Sequence, residues 1–229
     1  MRVARTTLYT SRKPRHHELD GVHYHFRSRE EIEKLPSPRF VVFSVHEHLQ
    51  ALDLQDVVAK LQDHDAVFVE VFHTAIEKLN EWAEKYKHEH DLEVISIFLL
   101  PASVDEVEAI SAHLGVEPRE VLYRLVAGKM RRRGEDDEEE IEREARDAWA
   151  EVQSAPHYDH RIVCPHGEDE VDAWTGKHLE DLHPHVQLVV EQFHAFFSRH
   201  PGRKKLVVLS GPSCTGKGPL WATYSRLYL

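Results

Sequence analysis

The chain has 229 residues, of which 41% are hydrophobic and 30% charged, a composition typical of one globular domain with a sizeable core. Its net charge of -11 argues against a dedicated nucleic-acid binder, which needs a basic face for phosphates. Two cysteines offer no disulfide framework, and we find neither a signal peptide nor an apolar run of about 18 residues that would span a membrane. We therefore expect a soluble, cytoplasmic protein that binds neither nucleic acid nor membrane.

The first motif is the stretch SRKPRHHELDGVHYHF, which begins at Ser11 and ends in an aromatic strand. Its candidate binding residues are Arg12, Arg15, Glu18 and Tyr24. Two guanidinium groups beside a tyrosine hydroxyl suit a phosphate monoester, and the carboxylate would accept a hydrogen bond from a base or a ribose. The alternative is a solvated basic loop leading into a hairpin, which residue types alone slightly favour.

Apolar runs and capped helical segments alternate through the middle of the chain. The runs predict strands at residues 3–9, 40–45, 66–72, 93–100 and 160–164. Helices are predicted at 54–61, 74–87 with Thr74 as cap, from Ser103, from Pro118 to about Gly128, at 138–154, and in a tail over 168–200. Glu70 stands inside an otherwise apolar strand, where a carboxylate is costly unless it is paired or binds a cation. A contact with a cation, and a side chain turned to the sheet edge or bonded to a neighbouring loop, are equally favoured for Glu70.

Residues 129–146 combine a basic run, Lys129–Arg133, with a following acidic run. Such a pattern usually belongs to a solvated helix with pairs of opposite charge four residues apart.

Nineteen histidines include four pairs with His-x-His spacing. These are His23/His25, His46/His48, His88/His90 and His183/His185. On a strand, both members of a pair would share one face and offer two metal ligands. No cysteine cluster or HExxH pattern completes a site, so we favour isolated exposed histidines over a structural zinc site.

The last motif, LVVLSGPSCTGKGPL, begins at Leu206 and joins a buried strand to a helix predicted from Leu220. Its spacing Gly211-x4-Gly216-Lys217 fits a phosphate-binding loop, in which backbone N–H groups, the helix dipole and a lysine hold an anion. The candidate residues are Gly211, Pro212, Ser213, Cys214, Thr215, Gly216, Lys217 and Gly218. Gly218 stands where a serine or threonine would offer a hydroxyl to magnesium.

Both motifs resemble those of guanylate kinases. The first is similar to the nucleoside-monophosphate-binding segment of that family, which reads approximately T-T-R-x-P-R-x-x-E-x-D-G-x-x-Y-x-F, and the second shares the Ser-Gly-Pro-Ser opening of its phosphate loop. Their order along the chain is reversed. Joining Leu229 to Met1 restores a separation close to that of the family, so we predict a circular permutant.

The resemblance implies one domain over residues 1–229 with an α/β, three-layer P-loop NTPase fold and a central parallel sheet. Residues of about 11–52 would form a small acceptor-binding subdomain, about 129–146 a lid, and 206–229 the phosphate-loop strand and first helix. It further implies transfer of the γ-phosphoryl group of ATP, with Mg²⁺, to a nucleoside monophosphate (GMP or dGMP first) or a related phosphomonoester.

The resemblance also assigns roles to residues. Lys217 and the loop would hold the donor phosphates, and Arg133 and Arg143 would stabilise the transferring group. Arg12, Arg15, Glu18 and Tyr24 would hold the acceptor, with Glu70 near magnesium.

The usual guanine contacts are missing from FVVFSV and HLQALDL, Leu8 replaces a hydroxyl residue, and Cys164 stands where an asparagine near adenine is usual. The rival hypothesis is therefore a catalytically reduced module that binds a nucleotide or a phosphorylated protein partner.

Overall fold

The structure is a computed structural model that describes residues 2–15, 18–90, 92–199 and 202–229, without the side chains of residues 86–90. The strands are β1 (Val3–Arg5), β2 (Tyr9–Thr10), β3 (His25–Phe26), β4 (Phe40–Val45), β5 (His48–Asp53), β6 (Ala66–Glu70), β7 (Leu92–Leu100), β8 (His160–Val163) and β9 (Lys204–Ser210). The helices are α1 (Arg29–Glu33), α2 (Leu54–Asp63), α3 (Ile76–His90), α4 (Val104–Leu114), α5 (Pro118–Arg133), α6 (Glu138–Gln153), α7 (Pro184–Ser198) and α8 (Lys217–Tyr228). No helix in the described part of the chain is long and apolar enough to cross a bilayer.

Five strands form a central parallel sheet in the order β1-β6-β9-β7-β8. In β1 and β6, Val3 lies opposite Ala66, and in β7 and β8, Ile97 lies opposite His160. The strand β9, which comes late in the chain, occupies the middle of this order. Its residues 206–209 are fully buried, as expected for a strand covered on both faces.

Residues 1–96 and 200–208 form one compact unit, which contains a second sheet in the order β3-β2-β5-β4. β4 and β5 are antiparallel, with Phe40 opposite Asp53, whereas β2 pairs in parallel with β3. Helix α1 covers this sheet through Ile32, which is fully buried. The cluster around it consists of Phe40, Leu49 and Ala51.

Residues 97–199 and 209–229 form the other compact unit. α5 and α6 pack through a cluster that includes Val126, Met130, Ile141, Ala145 and Cys214. α7 and α8 pack through aromatic rings, with the Tyr224 ring centroid 5.2 Å from that of Phe193 and 4.8 Å from that of Phe197. The phosphate-loop helix is therefore held by aromatic contacts on its buried side.

The apolar runs after residue 39 predict strands correctly, as do the helical patterns at 54–61 and 138–154. Ser103 caps α4 as predicted. Its hydroxyl accepts a hydrogen bond from the Glu106 backbone N–H, and the Glu106 carboxylate accepts one from the Ser103 backbone N–H. This reciprocal pair satisfies two N–H groups that the first turn of a helix leaves open.

Several predicted elements are wrong. The single strand at residues 3–9 is broken between β1 and β2, which belong to different sheets. At the break, the Thr6 hydroxyl donates to Asp56 at 2.6 Å. Thr74 does not cap a helix, because its hydroxyl donates to the Ser44 carbonyl oxygen at 2.5 Å and a 3-10 turn precedes α3.

Three further boundaries differ from the prediction. α5 continues beyond Gly128 to Arg133, since the residue that ends it is Gly134, with a left-handed φ of 74°. The tail over 168–200 is helical only in α7 and in two short 3-10 turns. α8 begins at Lys217 rather than Leu220.

Candidate functional site

The loop between β9 and α8 depends on two glycines. Gly211 has a φ of 149°, and a Cβ atom there would lie 2.5 Å from the Leu99 carbonyl oxygen. Gly216 has a φ of 81°, and a Cβ atom there would lie 2.8 Å from the His166 carbonyl oxygen. Both positions require a residue without a side chain, so the motif spacing reflects a real backbone constraint.

Lys217 is folded over this loop. Its Nζ donates to the carbonyl oxygens of Gly211 and Pro212, both at 2.7 Å, and the Thr215 hydroxyl donates to the same Pro212 oxygen at 2.7 Å. Phosphate oxygens are stronger partners for an ammonium group than carbonyl oxygens. The arrangement places a cation at the start of α8, where backbone N–H groups and the helix dipole also attract anions.

A carboxylate that sequence reasoning missed already lies at this helix N-terminus. Glu168 Oε2 accepts from the backbone N–H of Gly216 at 3.1 Å. Its other oxygen lies 3.9 Å from the position that a Cβ atom on Gly218 would take. The acid is 48 residues upstream of the loop, so no local pattern links the two.

Helix α6 adds two more acids that the sequence did not single out. Glu144 accepts a hydrogen bond from the Ser213 hydroxyl. Glu151 is 2% exposed, and burial raises its pKa to about 8, although the charge of Lys217 acts in the opposite direction. Both were hidden in an acidic helix whose pattern suggests solvent exposure.

The predicted catalytic arginines lie on α5 and α6. Burial opposes the charge of Arg133, yet the Asp136 carboxylate, which accepts its hydrogen bond, and the charge of Glu168 hold its pKa above the usual range, so the guanidinium is charged beside the loop. Its side chain is 12% exposed and hydrogen-bonds Asp136. In Arg143, the buried Nε has no hydrogen-bond partner among the described residues. Both arginines therefore sit where an added anion would improve their contacts.

Two other basic residues of the predicted lid, Lys129 and Arg132, form hydrogen bonds and ion pairs within the protein. Lys129 is 2% exposed, donates to the Pro165 carbonyl oxygen, and lies 3.4 Å from Asp169. Arg132 contacts the same Asp169 carboxylate at 2.7 Å. These two side chains join α5 to the loop that follows β8.

Both cysteines are buried and free. The Cys164 thiol donates to the His166 carbonyl oxygen at 3.2 Å, and burial raises its pKa to about 12. Burial likewise raises the pKa of Cys214 to about 12. The thiols are therefore neutral and act as packing groups beside the loop.

The predicted acceptor residues come together in the unit that contains residues 1–96. Arg12 donates to Glu18 through two nitrogens, at 2.8 and 2.7 Å, and the Arg15 backbone N–H donates to the same carboxylate at 2.7 Å. Burial would raise the pKa of Glu18, but these hydrogen bonds and the Arg12 charge hold it below the usual range. Glu18 thus orients Arg12 in this structure.

Tyr24 and Glu70 belong to the same neighbourhood. The Arg12 guanidinium carbon lies 5.4 Å from the Tyr24 ring centroid, within cation–π range. Burial raises the pKa of Tyr24, and the charge of Glu70 adds to the increase. Glu70 ends β6, and its carboxylate lies 3.4 Å from Arg5, so it has the bonded neighbour expected by one of the two alternatives.

Comparison with known proteins finds no matching family model. The chain is 26% identical over 160 residues to guanylate kinase 1 of Oryza sativa subsp. japonica, which covers 68% of the chain and 35% of the relative. It is 33% identical over 119 residues to the guanylate kinase of Mycoplasma mobile, a match that covers 51% of this chain and 58% of the relative. It is 26% identical over 182 residues to the guanylate kinase of Nitratidesulfovibrio vulgaris, a match that covers 79% of this chain and 75% of the relative. The chain thus spans about a third of the length of the plant relatives.

A crystal structure of guanylate kinase from Anaplasma phagocytophilum has a similar fold, with a TM-score of 0.50, 16% identity, and coverage of 88% of this chain and 79% of that one. The α/β fold with its central parallel sheet matches the P-loop NTPase fold of that enzyme. The chain is therefore similar in sequence and in fold to guanylate kinases.

Proposed function

We propose that the chain is an ATP-dependent phosphotransferase that moves the γ-phosphoryl group to a nucleoside monophosphate, with GMP or dGMP as the first candidate acceptor. The observation that carries the proposal is Lys217 folded over a strict-glycine loop at the start of α8, a cradle for the donor phosphates. Sequence similarity supports it, since the relatives are named guanylate kinases.

Each predicted residue has a role in this proposal. The backbone of residues 211–218 and Lys217 bind the donor phosphates, and Lys217 exchanges its two carbonyl partners for phosphate oxygens. Arg133 and Arg143 stabilise the charge on the transferring group, because phosphoryl transfer depends mainly on positioning and charge stabilisation. Arg12, Arg15 and Tyr24 hold the acceptor phosphate.

Glu18 deserves a different role from the one first expected. Both of its oxygens contact the Arg12 guanidinium, and its side chain is 8% exposed. We therefore assign Glu18 to the orientation of Arg12, with a direct contact to the base or ribose as the alternative. An oriented guanidinium binds a phosphate with less loss of side-chain entropy.

Magnesium fits the site through few protein oxygens. Gly218 offers no hydroxyl to an ion at the phosphate loop. Mg²⁺ commonly binds through substrate phosphates and water with one or two carboxylates, so this donor set suits an ion held mainly by the nucleotide. The ion would neutralise phosphate charge, and the expected role of Glu70 near magnesium stays a prediction.

We also propose that the chain has a circularly permuted order relative to its family. The phosphate-loop strand β9 follows every other strand in the chain yet lies between β6 and β7 in the sheet order. That position supports a rearranged order of the same elements.

The rival function is a catalytically reduced module that binds a nucleotide or a phosphorylated partner through Arg12 and Arg15. The observation in its favour is Glu168, whose carboxylate occupies a backbone N–H of the phosphate loop. An acid in this place competes with the donor phosphate.

The test is ADP formation from Mg-ATP with a panel of nucleoside and deoxynucleoside monophosphates, using wild type, Lys217→Ala, and Lys177→Ala as an exposed control. We expect turnover with a guanine nucleotide, a loss of roughly 10²–10³-fold in Lys217→Ala, and no change in the control. If ATP binds but no ADP forms with any acceptor, the chain is not a nucleoside-monophosphate kinase. If no ADP forms and ATP does not bind, the module that binds a phosphorylated partner is favoured.

A further inference from the structure

Three histidine rings meet where the loop after β8 approaches the start of α7. His166 comes from the loop, His183 is the N-cap of α7, and His185 lies in its first turn. One ring nitrogen from each can be chosen so that all three lie within 4.8 Å of one another. Three imidazoles at this separation match the ligand type and number of a three-histidine zinc site.

The orientation of His166 is the second observation. Its Nδ1 hydrogen-bonds the Glu170 carboxylate. Its Nε2 is buried and has no hydrogen-bond partner among the described residues. A metal-binding histidine typically gives its other ring nitrogen to a carboxylate, and an unpaired buried nitrogen is costly unless something binds it.

We propose that His166, His183 and His185 form a binding site for a divalent transition metal, with Zn²⁺ as the best fit. Imidazole ligands suit zinc, copper and nickel rather than magnesium or calcium, so this site is separate from any nucleotide-bound magnesium. Three protein ligands leave a fourth position for water.

The His183 ring already makes one contact that the metal replaces. Its Nδ1 accepts from the His185 backbone N–H at 3.3 Å, a long hydrogen bond at the N-terminus of α7. The His-x-His spacing was visible in the sequence, whereas His166 lies 17 residues earlier and joins only through the fold.

The site has a consequence for the phosphate loop. Residues 166–170 connect the His166 ring to Glu168, which contacts the Gly216 N–H, and to Gly167, whose backbone packs on the Cys214 carbonyl. A metal that ties His166 to α7 therefore stiffens one wall of the loop. The role we assign is structural, and it stands whether or not the chain is a kinase.

The first experiment measures metal content in the untagged full chain after chelator treatment, zinc loading and desalting. The variants are His183→Gln with His185→Gln, and His166→Gln. The control removes two exposed histidines elsewhere, His113→Gln with His157→Gln. We expect one more equivalent of Zn²⁺ in wild type and control than in the site variants. Equal zinc content in all four proteins would overturn the proposal.

Thermal unfolding supplies a second readout. Zinc at about 100 times its dissociation constant should raise the Tm of wild type and control by roughly 5–10 °C, and should leave the site variants unmoved. Glu170→Gln should keep the stoichiometry and weaken zinc binding by about 10–100-fold, as loss of a carboxylate behind a ligand does. A Tm rise of the same size in the site variants would contradict the assignment.

A third experiment, Co²⁺ binding followed by absorption spectroscopy, tests the site without any variant. Co²⁺ added to the wild-type chain should give the intense visible absorption of a four-coordinate ion, which Zn²⁺ displaces at one equivalent. A weak six-coordinate spectrum would overturn the site even if the variants fail to fold.

Discussion

Gly218 is the residue at which this phosphate loop departs most plainly from its motif. It lies in the first turn of α8, and an added Cβ atom would meet nothing closer than a Glu168 oxygen at 3.9 Å. There is therefore room for a serine side chain at position 218, and what the glycine lacks is the hydroxyl group. A glycine in a helix also costs roughly 0.5–1 kcal/mol relative to alanine.

We predict that Gly218→Ser raises kcat/KM for Mg-ATP by about tenfold, because its hydroxyl adds one hydrogen-bonding oxygen for the hydrated ion. Gly218→Ala is the matched control, since it adds the Cβ atom and the helix propensity without the hydroxyl. Steady-state kinetics at varied Mg²⁺ would measure the effect. Equal gains in the two variants would show that the hydroxyl itself contributes nothing.

Glu168 places a negative charge where the donor phosphate is expected. We predict that Glu168→Gln tightens ATP binding by about tenfold, since one like-charge contact is removed at the loop. Without ligand, the variant should be less stable by about 0.3–1 kcal/mol, because a charge at the α8 N-terminus is lost. Calorimetric titration with ATP and urea unfolding measure the two effects.

The control for this variant is Asp172→Asn, an exposed acid further along the same loop. It should leave ATP affinity unchanged at moderate salt, where exposed charges are screened. Weaker or unaltered ATP binding in Glu168→Gln would mean that the carboxylate does not compete with the phosphate.

At the scale of elements, helix α6 shows how one amphipathic helix can supply buried acids. Its sequence is rich in glutamate, and Glu138 and Glu139 are exposed, but Glu151 points into the protein and is 2% exposed. Burial raises its pKa to about 8 from the ordinary value of 4.5. The folded state therefore holds this proton over a pH range in which the unfolded chain has released it.

The sign of the resulting pH dependence follows directly. Between about pH 4.5 and 8 the folded state binds one proton more than the unfolded state, so stability falls as pH rises, by at most about 1.4 kcal/mol per pH unit. We predict that Glu151→Gln flattens this slope and is more stable than wild type at pH 8. Urea midpoints from pH 5.5 to 8.5 measure it, with the exposed Glu139→Gln as control. Parallel slopes in all three proteins would contradict the prediction.

Secondary structure was predictable wherever the deciding contacts are local. The Ser103 cap and the strands β4, β6, β7, β8 and β9 follow from apolar runs and capping residues. The strand β5 was missed, although it follows β4 after only two residues. Its sequence HLQALD has little of the β-branched character of a typical strand, so its pairing with β4 and β2 decides its conformation.

At the scale of the whole molecule, the distinctive feature is the place of β9 between β6 and β7. If the chain is a permuted family member, the same elements should fold in the family order. We predict that a rearranged chain starting at Gly202, with Leu229 joined by a short Gly/Ser linker to Arg2, keeps the circular dichroism and the ATP affinity of wild type.

The control rearrangement opens the chain between Val67 and Phe68, two fully buried residues of β6. It should fail to fold cooperatively, because new ends are tolerated at exposed loops and not inside a core strand. If the Gly202 rearrangement also fails, the proposed permutation loses its support.

The sequence by itself determined the fold class, the resemblance to guanylate kinases, and the positions of the glycine loop and the arginine segment. These depend on glycines at fixed spacing, on apolar runs and on side chains within a few residues of one another. Only the tertiary structure decided what surrounds them. Glu168 and Glu151 reach the phosphate-loop residues, and His166 joins His183 and His185, across dozens of residues or between separate elements. Such contacts arise from packing, and packing leaves no periodic trace in the chain.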